Sequence, residues 1–279
     1  MNARAVLVWS AAALTVDLAT NDPVYRATLL VVCIDVLLAL VPPSRSLRPL
    51  VAVVVVVGAT AIILNVALSH SGTHVLVELP PGWPLVGGPL TLEAAAYGLA
   101  AGLGIAGAVF AVAPVSLVLE THELVDALPH GLERSALVVA SALNLAPAIG
   151  RSAVAIRDAE TMRGWRPRGP RSWAEILVPT MLGAIEDSLG LAEAMEARGF
   201  GSGPRTRYAP ARWGRSDALV VVAAVTAAGA FIVARIVGSP LDWQPYPTLV
   251  APSIEPVLIG AILLLTAPLI GRRWSVSTI

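Results

Sequence analysis

Two short stretches of the chain place an arginine, a glycine and an aromatic residue in succession at the end of a helical pattern. The first reads Met162-Arg163-Gly164-Trp165, and the second, 35 positions later, reads Ala197-Arg198-Gly199-Phe200. Glycine just after a helix adopts the left-handed conformation at little steric cost, and an arginine there is favoured by the helix dipole. Capping alone explains one copy. Two copies predict rigidly held guanidinium groups that dock bidentately into carboxylate-lined grooves, with the aromatic ring as anchor.

A glycine-rich stretch at residues 102–107 matches the dinucleotide-binding pattern GxGxxG. That pattern requires a preceding strand and a helix that begins at the pyrophosphate, but here it lies inside a long apolar stretch. We therefore interpret Gly98 and Gly102, spaced by four residues, as a small-residue surface for packing against another membrane helix or subunit.

Metal-ligating side chains recur at a spacing of four as His70, His74 and Glu78. Gly72 interrupts any helix that would align them, so a solvated loop is favoured over a metal site. We predict that this chain binds no metal and no other cofactor.

Two further sets of polar residues suggest alternative functions. Asp35 lies inside an apolar stretch, where a buried hydrogen-bond partner is favoured over an ion relay because Asn65 alone offers itself as a neighbour. His122, Glu123 and Asp126 fit a solvated face of an amphipathic helix. The alternatives are a secondary transporter using Asp35 and a membrane-embedded transferase using His122, Glu123 and Asp126.

The basic residues number 19, and all of them are arginine. Without lysine, the chain offers neither the P-loop residue that reaches nucleotide phosphates nor an amine for Schiff-base chemistry. We therefore predict that it is not an enzyme. If ATP drives its function, another chain must hydrolyse the nucleotide.

The composition indicates a membrane protein, because 56% of the residues are hydrophobic and only 14% are charged, against about 25% charged in soluble domains. A spanning helix needs about 20 mainly apolar residues. The sequence predicts six such helices, of which the first is short: 5–19, 24–41, 50–69, 93–119, 217–237 and 257–270. The valine-rich run 51–57 is predicted as helix, since an isolated strand cannot satisfy its backbone in lipid.

A more polar region separates the fourth and fifth spans. Its segments 132–149 and 173–191 are predicted as amphipathic helices along or just under the bilayer, broken at Pro147 and Pro179. The predicted fold class is all-α and polytopic, with cytoplasmic amphipathic helices inserted between spans four and five. The predicted domains are the N-terminal spans 1–119, the cytoplasmic region 120–216 with the two Arg-Gly motifs and the C-terminal spans 217–279.

The distribution of arginine predicts the topology through the positive-inside rule. Twelve arginines lie in the region 120–216, and none lies in the loops 69–89 and 239–256. Six spans with both termini in the cytoplasm satisfy this pattern. Arg26, beside the first short hairpin, is the main exception.

From about residue 22 to the end, and most specifically over 117–200, the sequence resembles the transmembrane T component of energy-coupling factor (ECF) transporters, the CbiQ/EcfT type of subunit. The resemblance rests on the stretch Thr121-His122-Glu123-Leu124-Val125-Asp126-Ala127-Leu128, the proline-broken helix at Pro147 and the two Arg-Gly motifs. The second motif, Ala197-Arg198-Gly199, matches the family pattern Ala-Arg-Gly. The first departs from it, because Met162 replaces the alanine.

The resemblance implies a role without chemistry of its own. A T component joins two ABC ATPase subunits, which bind ATP and Mg²⁺, to one or more substrate-binding S components in the bacterial cell (inner) membrane. It implies that Arg163 and Arg198 dock into the ATPases, and that Gly164, Gly199, Trp165 and Phe200 form the ends of the coupling helices. It also implies vitamin or metal-ion uptake, and no nucleic-acid partner.

Overall fold

A computed structural model describes residues 2–41, 47–69, 71–80, 87–119, 123, 133–166, 169–199, 213–252 and 254–270. The chain divides into two compact units. The first comprises Met1–Glu120 with Arg212–Ile279, and the second is Thr121–Ala211. The residues 1–119 and 217–279, predicted above as separate domains, therefore contribute to the same unit.

The described elements are almost entirely helical, which confirms the all-α class. In chain order they are α1 (Ala3–Ala19), α2 (Pro23–Leu40), α3 (Arg48–Leu68), β1 (Val75–Glu78), β2 (Pro89–Thr91), α4 (Leu92–Val118), α5 (Glu133–Met162), a 3₁₀ helix (Pro170–Trp173), α6 (Ala174–Ala197), α7 (Arg215–Val237) and α8 (Pro256–Leu264).

Four of these helices, α2, α3, α4 and α7, are long and apolar enough to cross a membrane. The polytopic class is thereby confirmed. The other two predicted spans are helical but shorter, with 17 residues in α1 and 9 in α8. The valine-rich run 51–57 lies inside α3, as predicted.

The core of the first unit is formed where α1, α2, α4, α7 and α8 pack together. The indole of Trp9 is buried and donates to the carbonyl of Leu265 at 2.8 Å. Tyr25 packs edge-on against Phe231, with ring centroids 5.8 Å apart, and its hydroxyl accepts from the amide of Glu255 at 2.8 Å. These contacts tie the N-terminal helices to the C-terminal ones.

Helix α3 buries none of its residues and packs along α4. The approach is close because glycines line it. A Cβ on Gly98 would lie 2.8 Å from Cα of Ile62, and one on Gly102 would lie 3.4 Å from the backbone of Gly58. Gly98 and Gly102 thus face another helix of the same chain.

An antiparallel hairpin of β1 and β2 begins in the loop 69–89, for which no secondary structure was predicted, and ends just after it. Its organiser is Glu93, a fully buried residue in the first turn of α4. The Glu93 Oε1 atom accepts from the amides of Thr73 and His74, each at 3.1 Å, and lies 2.8 Å from Nδ1 of His74. His74 is therefore engaged by Glu93 and does not form a set with Glu78.

The second unit contains α5 and α6, which pack against each other. Both helices run continuously through a proline, Pro147 in α5 and Pro179 in α6. The predicted breaks at these prolines are therefore wrong. A proline removes one helical hydrogen bond, and a long helix can carry that loss without ending.

Candidate functional site

The first Arg-Gly end (residues 162–165) closes α5 with two capping hydrogen bonds. Gly164 has φ of +87°, its amide donates to the carbonyl of Thr161 at 3.0 Å, and the amide of Trp165 donates to Glu160 at 2.9 Å. This pair of bonds is the Schellman arrangement, which satisfies carbonyls left without partners at a helix C-terminus. The backbone beside Arg163 is consequently fixed.

Side chains restrain the first end further. Arg163 Nη1 donates to Oε1 of Glu160 at 2.9 Å, although the arginine side chain remains 75% exposed. The indole Nε1 of Trp165 donates to Oε2 of Glu175 at 2.6 Å, and its ring packs edge-on against Trp173 at 6.3 Å. Trp165 therefore links the end of α5 to the start of α6.

The second Arg-Gly end (residues 197–200) also closes α6 with a glycine at positive φ. Gly199 has φ of +68°, and its amide donates to the carbonyl of Glu196 at 2.9 Å. Arg198 is exposed, and within the described part of the chain its side chain has neither a hydrogen bond nor an ion pair. Phe200 lies outside the described residues.

Both ends thus present a guanidinium group to solvent from a helix terminus whose backbone is fixed. Met162, before the first arginine, is 84% exposed, and Ala197 holds the equivalent position in the second end. A fixed fork of guanidinium donors matches the geometry of a carboxylate. This arrangement can bind an acidic groove.

Among the residues of the alternative functions, the structure describes Asp35, its expected neighbour Asn65, and Glu123. Asp35 was expected to be a buried hydrogen-bond partner, and this is wrong. It is exposed on α2, on the same stripe as Val31 and Leu38, while Asn65 donates to the carbonyl of Ala61 in its own helix. Helical periodicity places position 35 opposite the buried face of α2.

The predicted transferase residues are mostly outside the described part of the chain. Glu123 is described as helical and half-buried, whereas His122 and Asp126 are not described. Among the described residues, no group of three His, Cys, Asp or Glu side chains is placed to hold a metal ion.

Two partners of Trp165, Glu175 and Trp173, were not predicted from the sequence. They follow Trp165 by ten and eight residues, across a turn and a 3₁₀ helix. No periodic pattern connects positions in such a segment. The sequence offers one indication, the tryptophan itself, because its large apolar ring packs against other side chains and its N–H usually donates a hydrogen bond.

Comparison with known proteins gives two matches. The family model described as CbiQ, cobalt transport protein, matches residues 2–208, which include both Arg-Gly ends. Over 111 residues the chain is 29% identical to the energy-coupling factor transporter transmembrane protein EcfT of Lactobacillus helveticus (strain DPC 4571). That alignment covers 37% of this chain and 40% of the relative, so the chain spans about two fifths of the length of the curated relative it matches.

Proposed function

Because the chain belongs to the CbiQ cobalt transport protein family, we propose that it is the non-catalytic coupling subunit of an ATP-driven ECF-type importer. The observation that carries this proposal is the pair of exposed arginines, Arg163 and Arg198, each on a helix end with fixed backbone. A subunit that transmits force needs rigid sites where its partners bind, and it needs no catalytic group.

In this proposal two ABC ATPase subunits each receive one Arg-Gly end in an acidic groove. Closing of the ATPases on ATP and Mg²⁺ displaces α5 and α6, which are 30 and 24 residues long. The helices pass the movement to an S component, which releases a vitamin or metal ion. The chain's own contribution is mechanical, since a continuous helix carries displacement over its whole length.

The arginine distribution supports the orientation that this mechanism requires. The region 120–216 carries twelve arginines and would face the cytoplasm, where the ATPases are. The proposed location is the bacterial inner membrane, with both termini cytoplasmic.

The test is the double charge reversal Arg163→Glu with Arg198→Glu, and the matched control is Arg157→Glu, an exposed arginine within α5. We expect the double variant to lose co-purification with the ATPase pair and ATP-driven uptake in proteoliposomes, while the control keeps both. Unchanged association and uptake in the double variant would contradict the docking role.

A second measurement separates this function from secondary transport through Asp35. Uptake is followed with ATP depleted and the proton gradient intact, in the original protein and in Asp35→Asn. The proposal predicts no uptake without ATP and unchanged ATP-driven uptake in Asp35→Asn, because Asp35 is exposed on α2 and far in sequence from both Arg-Gly ends.

A further inference from the structure

A cavity of about 350 Å³ opens in the first unit between the last turn of α1, the start of α2 and the N-terminal half of α4. Its polar lining comes from Asp17, Asn21 and Arg26, and Tyr97 and Trp243 contribute aromatic rings. The volume falls within the roughly 300–1,000 Å³ of small-molecule sites. In the predicted topology this end of the bundle lies outside the cytoplasm, so the cavity is separate from the proposed ATPase-docking ends.

Two ionisable side chains of the cavity are left incompletely satisfied. Asp17 is 2% exposed, and neither its Oδ1 nor Nε of Arg26 has a hydrogen-bond partner among the described residues. Arg26 does donate to the carbonyl of Ala100 at 2.9 Å and to Oδ1 of Asn21 at 2.8 Å. No ion pair joins Asp17 to Arg26 within the residues described. Buried polar atoms without partners are costly, which indicates that a ligand completes them.

The sequence of α4 makes room for both groups. A Cβ on Gly107 would lie 2.6 Å from Oδ1 of Asp17, and one on Gly104 would lie 2.7 Å from Cζ of Arg26. Any side chain at these positions would displace the charged groups. Gly104 and Ile105, from the stretch 102–107 that resembles a nucleotide motif in sequence, line the cavity.

We propose that the cavity binds the headgroup of a zwitterionic phospholipid that carries a primary ammonium group, as phosphatidylethanolamine does. Arg26 is the donor to the lipid phosphate, and Asp17 is the acceptor for the ammonium. Guanidinium groups match phosphate oxygens, and an ammonium supplies three N–H donors for a carboxylate. One positive and one negative side chain select a ligand that carries both charges.

The surroundings favour a lipid over a soluble zwitterion. Tyrosine and tryptophan are the residues enriched at the membrane interface, and Tyr97 and Trp243 lie in the cavity wall. Leu18 and Ile105 also line the cavity, and they are 74% and 40% exposed, as a path for acyl chains requires. This role also accounts for Arg26, the main exception to the positive-inside pattern.

The test is native mass spectrometry of the full-length chain, purified and delipidated in detergent, then titrated with phosphatidylethanolamine, phosphatidylcholine or phosphatidylglycerol of identical acyl chains. Choline has no N–H donor, and glycerol has no positive charge. Phosphatidylcholine and phosphatidylglycerol should bind about tenfold more weakly than phosphatidylethanolamine, because each lacks one charge-assisted hydrogen bond. Asp17→Asn should abolish the preference for phosphatidylethanolamine over phosphatidylcholine, and Arg26→Gln should weaken both.

Controls keep the result decisive. Asp242→Asn removes a carboxylate that pairs with Arg235 at 2.6 Å and does not line the cavity, so it should retain the preference. Because Asp17 is buried and its replacement can reduce folding, Ala101→Leu is a second variant that fills the cavity and leaves both charges. It should lose the bound lipid.

Equal binding of the three lipids would overturn the proposal, and so would unchanged selectivity in a folded Asp17→Asn or unchanged lipid binding in Ala101→Leu. Free phosphoethanolamine tests the source of the ligand. Binding as tight as that of the lipid would assign the cavity to a soluble zwitterion and overturn the lipid proposal. At least about tenfold weaker binding supports the lipid, because acyl chains add buried apolar contact.

Discussion

The two Arg-Gly ends of the second unit both contain a glycine with positive φ. They differ in the side chains that contact the arginine. Gly164 and Gly199 both have positive φ and both donate to a carbonyl three residues earlier. Around the first end, Glu160 pairs with Arg163, and Trp165 is fixed by Glu175 and Trp173. Around the second, the described residues give Arg198 no side-chain partner.

If both ends dock into ATPase subunits as proposed, this difference predicts two modes of docking. The first end is restrained before any partner binds, so it loses little entropy but must exchange Glu160 for a new acceptor. In the second end, the described residues give the Arg198 guanidinium no side-chain partner, and Gly199 fixes the backbone beside it. We infer that Arg198 contributes more binding energy and that the first end contributes more to the geometry of α5 relative to α6.

The largest expected effect separates the two arginines directly. Arg198→Glu should weaken binding of the purified ATPase pair by about 30-fold or more, since a charge pair lost at an interface costs about 2–5 kcal/mol. Arg163→Glu should weaken it several-fold less, because Glu160 already compensates that arginine. The affinities are measured by binding of the detergent-purified chain to the ATPase pair immobilised on a surface. The control is Arg157→Glu, and equal losses in the two variants would contradict the comparison.

The next effect concerns the link between α5 and α6. Trp165→Phe keeps an aromatic ring and removes the N–H that donates to Glu175. A hydrogen bond to a charged group contributes about 1.5–3 kcal/mol, and the low end applies here because Glu175 is exposed. Hydrogen exchange over 160–175 should become about tenfold faster, while exchange over 190–199 stays unchanged.

Glu186→Gln on α6 is the control for this variant, because it removes an exposed carboxylate away from the link. Equal acceleration at both Arg-Gly ends would show that Trp165 stabilises the whole unit and does not act on the first end specifically.

Much of the fold was predictable because membrane helices obey a simple rule. Every backbone group must be satisfied within the segment, so long apolar stretches such as α3 and α4 become helices. The hairpin of β1 and β2 was not predictable. All four residues of β1 are exposed, and the hairpin depends on Glu93 accepting from Thr73 and His74 about twenty residues away.

In the candidate site, too, features set by local sequence were predictable and those set by tertiary contacts were not. A glycine directly after a helix commonly adopts positive φ, because it has no Cβ to clash. The positive φ of Gly164 and Gly199 could therefore be predicted from the sequence. The contact of Trp165 with Glu175 depends on tertiary placement, as does the approach of Gly107 to Asp17. Such pairs leave no periodic signal. The docking role of both arginines stays a prediction.

The two glycines test whether the shared backbone matters equally at both ends. Gly164→Ala and Gly199→Ala should each destabilise the helix end by about 1–2 kcal/mol, the cost of the left-handed conformation for a residue with Cβ. A Cβ on Gly164 would meet no atom within 4 Å, so strain alone causes the loss there. Local hydrogen exchange measures it.

Gly150→Ala in α5 and Gly183→Ala in α6 are matched controls. Both glycines lie inside a helix with open space around the added methyl group. These variants should stabilise their helices by about 1 kcal/mol or less. If only one of the two variants Gly164→Ala and Gly199→Ala loses stability, the left-handed glycine does not have the same role at both Arg-Gly ends.

The smallest expected effect is the most informative about the difference between the ends. Glu160→Gln removes the carboxylate that pairs with Arg163 and makes the first end resemble the second. If Glu160 competes with the ATPase groove, the variant should bind the ATPase pair about two- to threefold more tightly, since exposed ion pairs contribute about 0.2–1 kcal/mol. Glu160 is 31% exposed and Arg163 75% exposed, so added salt should shrink the gain.

The gain from Glu160→Gln should be clearest in the Arg198→Glu background, where the first end carries most of the remaining affinity. The control there is again Glu186→Gln. Weaker binding in Glu160→Gln would mean that Glu160 positions Arg163 for docking. The ion pair would then be part of the binding geometry, and the two ends would differ in preorganisation rather than in available charge.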